Sequence, residues 1–346
     1  MNGSSSRQTR QKIFTRVVLG CLALAVGYTA WVMIRASFNA QARAERTLPP
    51  TASLNDLKSL QSRPHLVFLN EAEPHLGKVK LAGLDPSFSP RAQTALRCGR
   101  VHYAADNGIC LTADPSAPDT RTHVTLFGPD FQPRHQFTMD GILSRARVSP
   151  DGKYAAFTVF VSGHSYQDAS MSTATVLLDT ATGANVGNLE EFETWKDGKL
   201  YQAPEFNFWG VTFAKDSNRF YATLKHGKNI YLMQGDVAAH RLTVLHESVE
   251  CPSLSPDETR IAFKKLDPSG NWQLTVLDLR TMNETTLAET ESIDDQVEWL
   301  DNQRILYEKI DYDPPKWVSV FVIPADGSGK PEVFLPNAAS PVVVRE

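Results

Sequence analysis

Few side chains in this sequence are placed to do chemistry. Gly163-His164-Ser165 sets a hydroxyl beside an imidazole, but no Gly-x-Ser-x-Gly elbow occurs and this Ser lies in a polar loop. His240 and His246 stand six positions apart around a strand, a poor geometry for one metal ion. His102 and His123 fall in apparent strands without a ligand partner at metal spacing, which favours a structural role. There is no His-Glu-x-x-His, no Cys-x-x-Cys and no EF-hand loop. Asp294-Asp295 and the pair Asp311/Asp313 have two readings: ligands for a hard cation such as calcium, or solvated turn acids. Asp326-Gly327-Ser328-Gly329 runs into Lys330 but lacks the spacing and following helix of a phosphate loop. No catalytic residue is assigned, and no cofactor is expected beyond the open case of that cation.

Binding is the better prospect, and it points to two long inserts. Val161 to Ser172 carries His164 and Tyr166; Asn188 to Asn207 carries Trp195, Tyr201 and Phe206 among acids. Long loops on a rigid scaffold are where recognition usually sits. With Asp311 and Asp313, these residues form the candidate binding set. The competing reading is that the aromatics only plug a gap between neighbouring units of the scaffold.

The scaffold that must position these loops is a repeat. Val249 to Glu289 divides into four short runs with strand character, VECPSL, RIAFKK, WQLTVLDL and NETTLAE. Turn residues separate them, including Ser255-Pro256-Asp257 and Asp267-Pro268-Ser269-Gly270. Ile261 and Phe263 share one face, as do Trp272, Leu274 and Val276. One such sheet cannot cover both faces, so it needs copies. Degenerate copies begin at Ser144, Phe208 and Asp294, with anchor acids Asp151, Asp216, Asp257 and Asp301. The anchors are 65, 41 and 44 residues apart, and six places on stand Phe157, Ala222, Phe263 and Tyr307. A second recurring acid follows the third strand, at Asp179, Asp236, Asp278 and Asp326. The repeating aspartates, Asp151, Asp257, Asp179 and Asp278 among them, are expected to bond turn backbone rather than to catalyse. Four-stranded repeats of roughly 40–45 residues mark propeller blades.

Ser149-Pro150-Asp151-Gly152 through Ala156-Phe157, and Ser255-Pro256-Asp257 through Ala262-Phe263, resemble the WD40-like (PD40) repeat of TolB-type β-propellers. The resemblance extends from about Leu66 to the C-terminus. It implies an all-β, six-bladed propeller of four-stranded antiparallel blades. It also implies a non-catalytic role in binding a partner in the cell envelope. The namesake carries an α/β domain ahead of its propeller. Here only about thirty residues separate the apolar N-terminal segment from the first strand, too few for such a domain. Blades are expected near residues 64–84 joined by 338–346, then from near 86, 143, 208, 249 and 293. Closure by the C-terminal strand Ser340 to Arg345 is the economical solution. The alternative function is an enzyme that uses the propeller channel on a saccharide or peptide.

Composition agrees. The 42% hydrophobic content supplies a full core, and 21 Pro and 20 Gly suit a chain with many turns. Net charge is −4. Residues 1–35 hold Arg7, Arg10, Lys12, Arg16 and Arg35 and no acid, so 35 bases less these five leaves 30 against 39 acids, or −9. An acidic body argues against a nucleic-acid surface.

Val17 to Ile34 is eighteen residues without a charge, close to the lower limit for a membrane span. The basic tail 1–16 would hold the N-terminus in the cytoplasm and send the rest outward. The expected layout is a tail at 1–16, a single-pass signal-anchor at 17–36, a linker at 37–63 and the propeller at 64–346. That layout puts the propeller in the periplasm or extracellular space of a bacterial cytoplasmic membrane. A cleaved signal peptide is the other reading, with Ala40-Gln41-Ala42 as a candidate site. In the linker, Leu54, Leu57 and Leu60 could form a short amphipathic turn against the propeller. Asn107-Gly108 signals a hairpin that would bring Cys98 and Cys110 within bridging reach. Outside the cytoplasm a disulfide is allowed; two reduced core thiols are the alternative.

Overall fold

The computed structural model describes Tyr28 and residues 55–85, 87–88, 91–168, 170–311 and 317–345. The sequence-predicted span at 17–36, its alternative cleavage site, Leu54 and Asp313 lie outside them, apart from Tyr28. Among the described residues no helix is long and apolar enough to cross a membrane.

Six sheets stand in a ring, each built on four antiparallel strands. The third, a representative blade, runs Ile142–Val148, Tyr154–Ser162, Ser172–Asp179 and Asn185–Asn188 from the axis outward. The second begins at Arg100–Ala104, the fourth at Asn207–Phe213, the fifth at Glu250–Leu254 and the sixth at Glu298–Trp299. In the first blade the innermost strand is the C-terminal Ala338–Val344, paired with His65–Asn70 through Leu66↔Val343 and Val67↔Val342. The chain thus closes the ring with its own end. Neighbouring inner strands touch in cyclic order around the axis.

One boundary differs from the sequence reading. The expected start of the second blade near residue 86 falls on Arg91–Arg97, which pairs with Lys78–Gly83 through Leu81↔Ala92 and completes the first blade. The C-terminal strand occupies the innermost position, so the first blade needs three strands from the N-terminal side rather than two.

The core lies in the seams between blades, because each sheet buries both faces against its neighbours. Phe157, Val159, Ile109 and Leu126 fill the seam between the second and third blades. Phe208, Phe213 and Phe220 of the fourth meet Ala156 and Leu177 of the third. Burying each such aromatic contributes about 1.5–3 kcal/mol. The repeat positions Phe157, Ala222, Phe263 and Tyr307 are all at most 1% exposed.

The Ser-Pro-Asp corner is a closed hydrogen-bond unit. Ser149 Oγ donates to Asp151 Oδ1 at 2.7 Å and accepts from the Tyr154 N–H at 2.9 Å. Ser255, Asp257 and Arg260 repeat the pattern. Gly152 has φ +75°, and a Cβ there would lie 2.8 Å from the Ala105 carbonyl of the adjacent blade, so only glycine fits. Asp179 and Asp278 likewise accept the N–H groups of Thr182 and Thr281.

Cys98 and Cys110 are bonded, with Cα atoms 5.5 Å apart. Cys98 follows the outer strand of the first blade and Cys110 lies in the second strand of the second, so the bridge staples two blades. The hairpin is present, but its two-residue turn is Ala105-Asp106, both at positive φ; Asn107 and Gly108 already belong to the returning strand. A short helix, α1 (Asn55–Gln61), packs on the first blade, with Leu60 fully buried and Leu57 beside it.

Candidate functional site

In an antiparallel blade the turn from first to second strand lies on one face of the ring and the loop from second to third on the other. At the face bearing the first turns, the channel opens into a cavity of about 500 Å³. All six blades line it, through Val344, Tyr103, Arg147, Phe213, Leu254 and Trp299 in blade order. Arg147 reaches across the axis from the third blade to Glu298 of the sixth, Nη1 to Oε2 2.6 Å, and donates through Nη2 to the Val297 carbonyl at 3.2 Å. Arg345 approaches the other oxygen of Glu298 at 3.6 Å. His102 stands beside this pair, and burial with the two guanidiniums pushes its pKa well below the usual imidazole value. It is therefore neutral at physiological pH.

The waist is crossed by Gln296, whose amide donates to the carbonyls of Val211 and Pro252, both at 2.9 Å. Below it, Asp294 takes hydrogen bonds from Arg145 (2.9 Å) and Lys264. Burial would raise this carboxyl; the two cations overcome it and hold the pKa below the usual range. The acid with cation-binding potential thus already has two charged partners.

The far end is stoppered by Tyr166. Its ring stacks on Trp209 at 4.6 Å, its hydroxyl bonds Ser144, and the Lys264 ammonium lies 4.6 Å from its centroid. Gln167 ties the same loop to the Gly270 carbonyl of the fifth blade. Among the described residues Tyr166 narrows this end of the channel, and a second cavity of about 480 Å³ lies beside it, lined by Gln167, Lys225 and Glu250.

The other candidates lie apart. His164 is exposed in the plug loop, its N–H bonded to Asp168. Trp195 lies in Glu193–Lys196, which adds in parallel to the outer strand of the fourth blade and makes that sheet six-stranded. Tyr201 and Phe206 pack on each other and on His226. They border a separate cavity of about 440 Å³ with Glu190, Glu191 and Glu193. Asp311 ends the strand Arg304–Asp311 of the sixth blade. Among the members of the set whose side chains are described, Tyr166 reaches the channel and the others do not.

Sequence reasoning passed over Arg147, Glu298 and Arg345 and set His102 aside as structural. A signal existed. Arg145 and Arg147 alternate along the strand that immediately precedes Ser-Pro-Asp, and that strand is innermost in a blade, so its alternate charges face the axis.

Among solved structures the fold is similar to TolB from Acinetobacter baumannii, at 15% identity and a TM-score of 0.58, over 82% of this chain and 67% of that one. A putative TolB from Agrobacterium tumefaciens matches over 79% of this chain and 89% of its own, at 13% identity and a TM-score of 0.45. A chain of a nidogen/laminin complex matches over 81% and 98%, at 8% and 0.47. No protein-family model and no curated protein matches the chain. The fold is that of a TolB-type six-bladed β-propeller.

Proposed function

We propose that this chain is a non-catalytic binding module, anchored by its N-terminal segment to a bacterial cytoplasmic membrane, whose extracytoplasmic propeller takes a segment of an envelope protein into the channel mouth. The observation that carries this reading is the mouth itself. Its cavity falls in the size range of ligand sites and combines aromatic walls with a few convergent charges. Tyr166, stacked on Trp209 at the far end, favours docking at the mouth. Against catalysis by Glu298 or Asp294 stand their engaged states: each is held by two cations.

The test is site-specific photocrosslinking in intact cells, with the probe at Lys215 or Leu254 on the mouth and at Leu200 on the fourth blade's edge. One discrete adduct from the mouth positions and none from Leu200 is expected. Adducts from Leu200 alone would overturn the reading. A C-terminal alkaline phosphatase fusion should be active; an inactive, stably made fusion would refute the extracytoplasmic placement.

A further inference from the structure

One corner of the mouth holds more hydrogen-bond donors than acceptors. The Val148 N–H donates to His102 Nδ1 at 3.1 Å. A ring nitrogen that accepts bears no proton, so neutral His102 carries its proton on Nε2. Arg147 Nη1 lies 3.1 Å from that nitrogen, and a guanidinium can only donate. Two donors therefore face each other. Arg147 Nε is buried and has no partner among the described residues. Protonating His102 would not help, because it would set a second N–H against that of Val148. Among the described residues, Arg147 and Arg345 share the single carboxylate of Glu298, and Arg345 also donates to the Val343 and Trp299 carbonyls. His102 and Arg147 are each 8% exposed and line the cavity, so whatever answers the deficit enters through the mouth.

We infer that this corner receives a carboxylate of the partner polypeptide, one oxygen accepting from His102 Nε2–H and the other facing the Arg345 guanidinium. The inference rests on the mouth being the partner site. A monoanion matches the excess of one cation over Glu298. A phosphate dianion would meet Glu298 and the rim acid Asp151 across the same cavity. The carboxylate has two sources, an Asp or Glu side chain or a chain terminus. A void of about 30 Å³ beside His102 and Arg147 has room for a single water, which would answer the hydrogen bonds but not the charge.

The experiment follows the His102 Nε2 resonance in the full chain labelled with ¹⁵N-histidine, assigned by its loss in His102→Gln. Acetate should shift it saturably at constant ionic strength, and acetamide should not. Acetyl-Gly-Gly-Asp-amide and acetyl-Gly-Gly-Gly free acid then separate the side-chain from the terminal source. Arg345→Gln, at a partly exposed position, should weaken acetate binding about tenfold, as loss of a charge-assisted hydrogen bond does. Arg241→Gln, on the outer strand of the fourth blade, should leave it unchanged. If acetate and acetamide act alike, or neither moves the signal, the inference is overturned and a lone water fills the corner. If the mouth crosslinks persist in that case, only the carboxylate falls. If the crosslinks fail while acetate binds, the partner reading falls and an anion site remains.

Discussion

Arg147 and Glu298 meet across the axis of the ring at 2.6 Å, one from the third blade and one from the sixth, with each side chain about nine-tenths buried. No contact along one edge of the ring could substitute for it, because the residues are 151 positions apart in sequence and three blades apart in space. Removing one partner leaves a buried charge unpaired; removing both does not. Glu298→Ala should therefore destabilise the propeller by about 3–5 kcal/mol in urea unfolding. Arg147→Met with Glu298→Leu should recover most of that loss. A double variant no better than the single one would refute this account of the pair.

His102 is held neutral by burial, with its folded pKa well below 6.5. His65 is shifted the same way, also by burial. A base whose folded pKa is depressed adds stability above its unfolded pKa, and that stability is lost as pH falls. Below about pH 6.5 the unfolded chain binds the extra protons, so stability should drop by up to about 1.4 kcal/mol per pH unit for each histidine. Denaturation curves between pH 7.5 and 5 measure the slope. His102→Gln should reduce it, and an unchanged slope would show that His102 titrates normally.

Glu190 carries the opposite sign. It sits where the insert joins the third and fourth blades, accepts from the Thr175 N–H at 3.3 Å, and leaves its other oxygen unbonded among the described residues. Burial pushes its pKa up to about 8. An acid raised in the folded state is destabilising wherever the unfolded chain ionises it, from about pH 4.5 upward. Glu190→Gln should then stabilise by at least about 1 kcal/mol at pH 8, with the gain fading towards pH 4.5. A gain independent of pH would point to packing instead.

Tyr166 stoppers the channel, and Lys264 beneath it is fully buried. Tyr166→Ala should cost about 3–5 kcal/mol, the range for emptying a buried aromatic site. Tyr166→Phe keeps the ring over Lys264 and loses only the bond to Ser144, so it should cost about 1 kcal/mol. Equal losses in the two variants would mean that the hydroxyl, not the ring, holds the plug.

The bridge between Cys98 and Cys110 predicts a thiol count. The chain has four cysteines, and Cys251 is buried and free. Ellman titration of the denatured chain should find two more reactive thiols after reduction than before it. An unchanged count would remove the staple between the first two blades.

The repeat was legible because it is local. Turn residues, two-residue alternation and the aromatic at a fixed offset from each aspartate lie within about 40 residues of one another, and each blade must solve the same burial problem. The Cys98–Cys110 hairpin was legible for the same reason, although the turn itself moved by two residues. The edge of the first blade was not, since the ring's closure by Ala338–Val344 determines which strand Arg91–Arg97 joins.

The sequence alone therefore determined the blade and most of its turns, because those follow from short-range sterics and from sheets too thin to bury themselves. Only the tertiary structure decided what the axis contains. Arg147 finds Glu298, Lys264 finds Asp294, and Tyr166 leaves its loop to seal one end; the aromatics of the other insert, Trp195 and Tyr201, stay on the outer edge of the fourth blade. These partners come from different blades, and a charge on an innermost strand has no assigned neighbour until six sheets have closed around it.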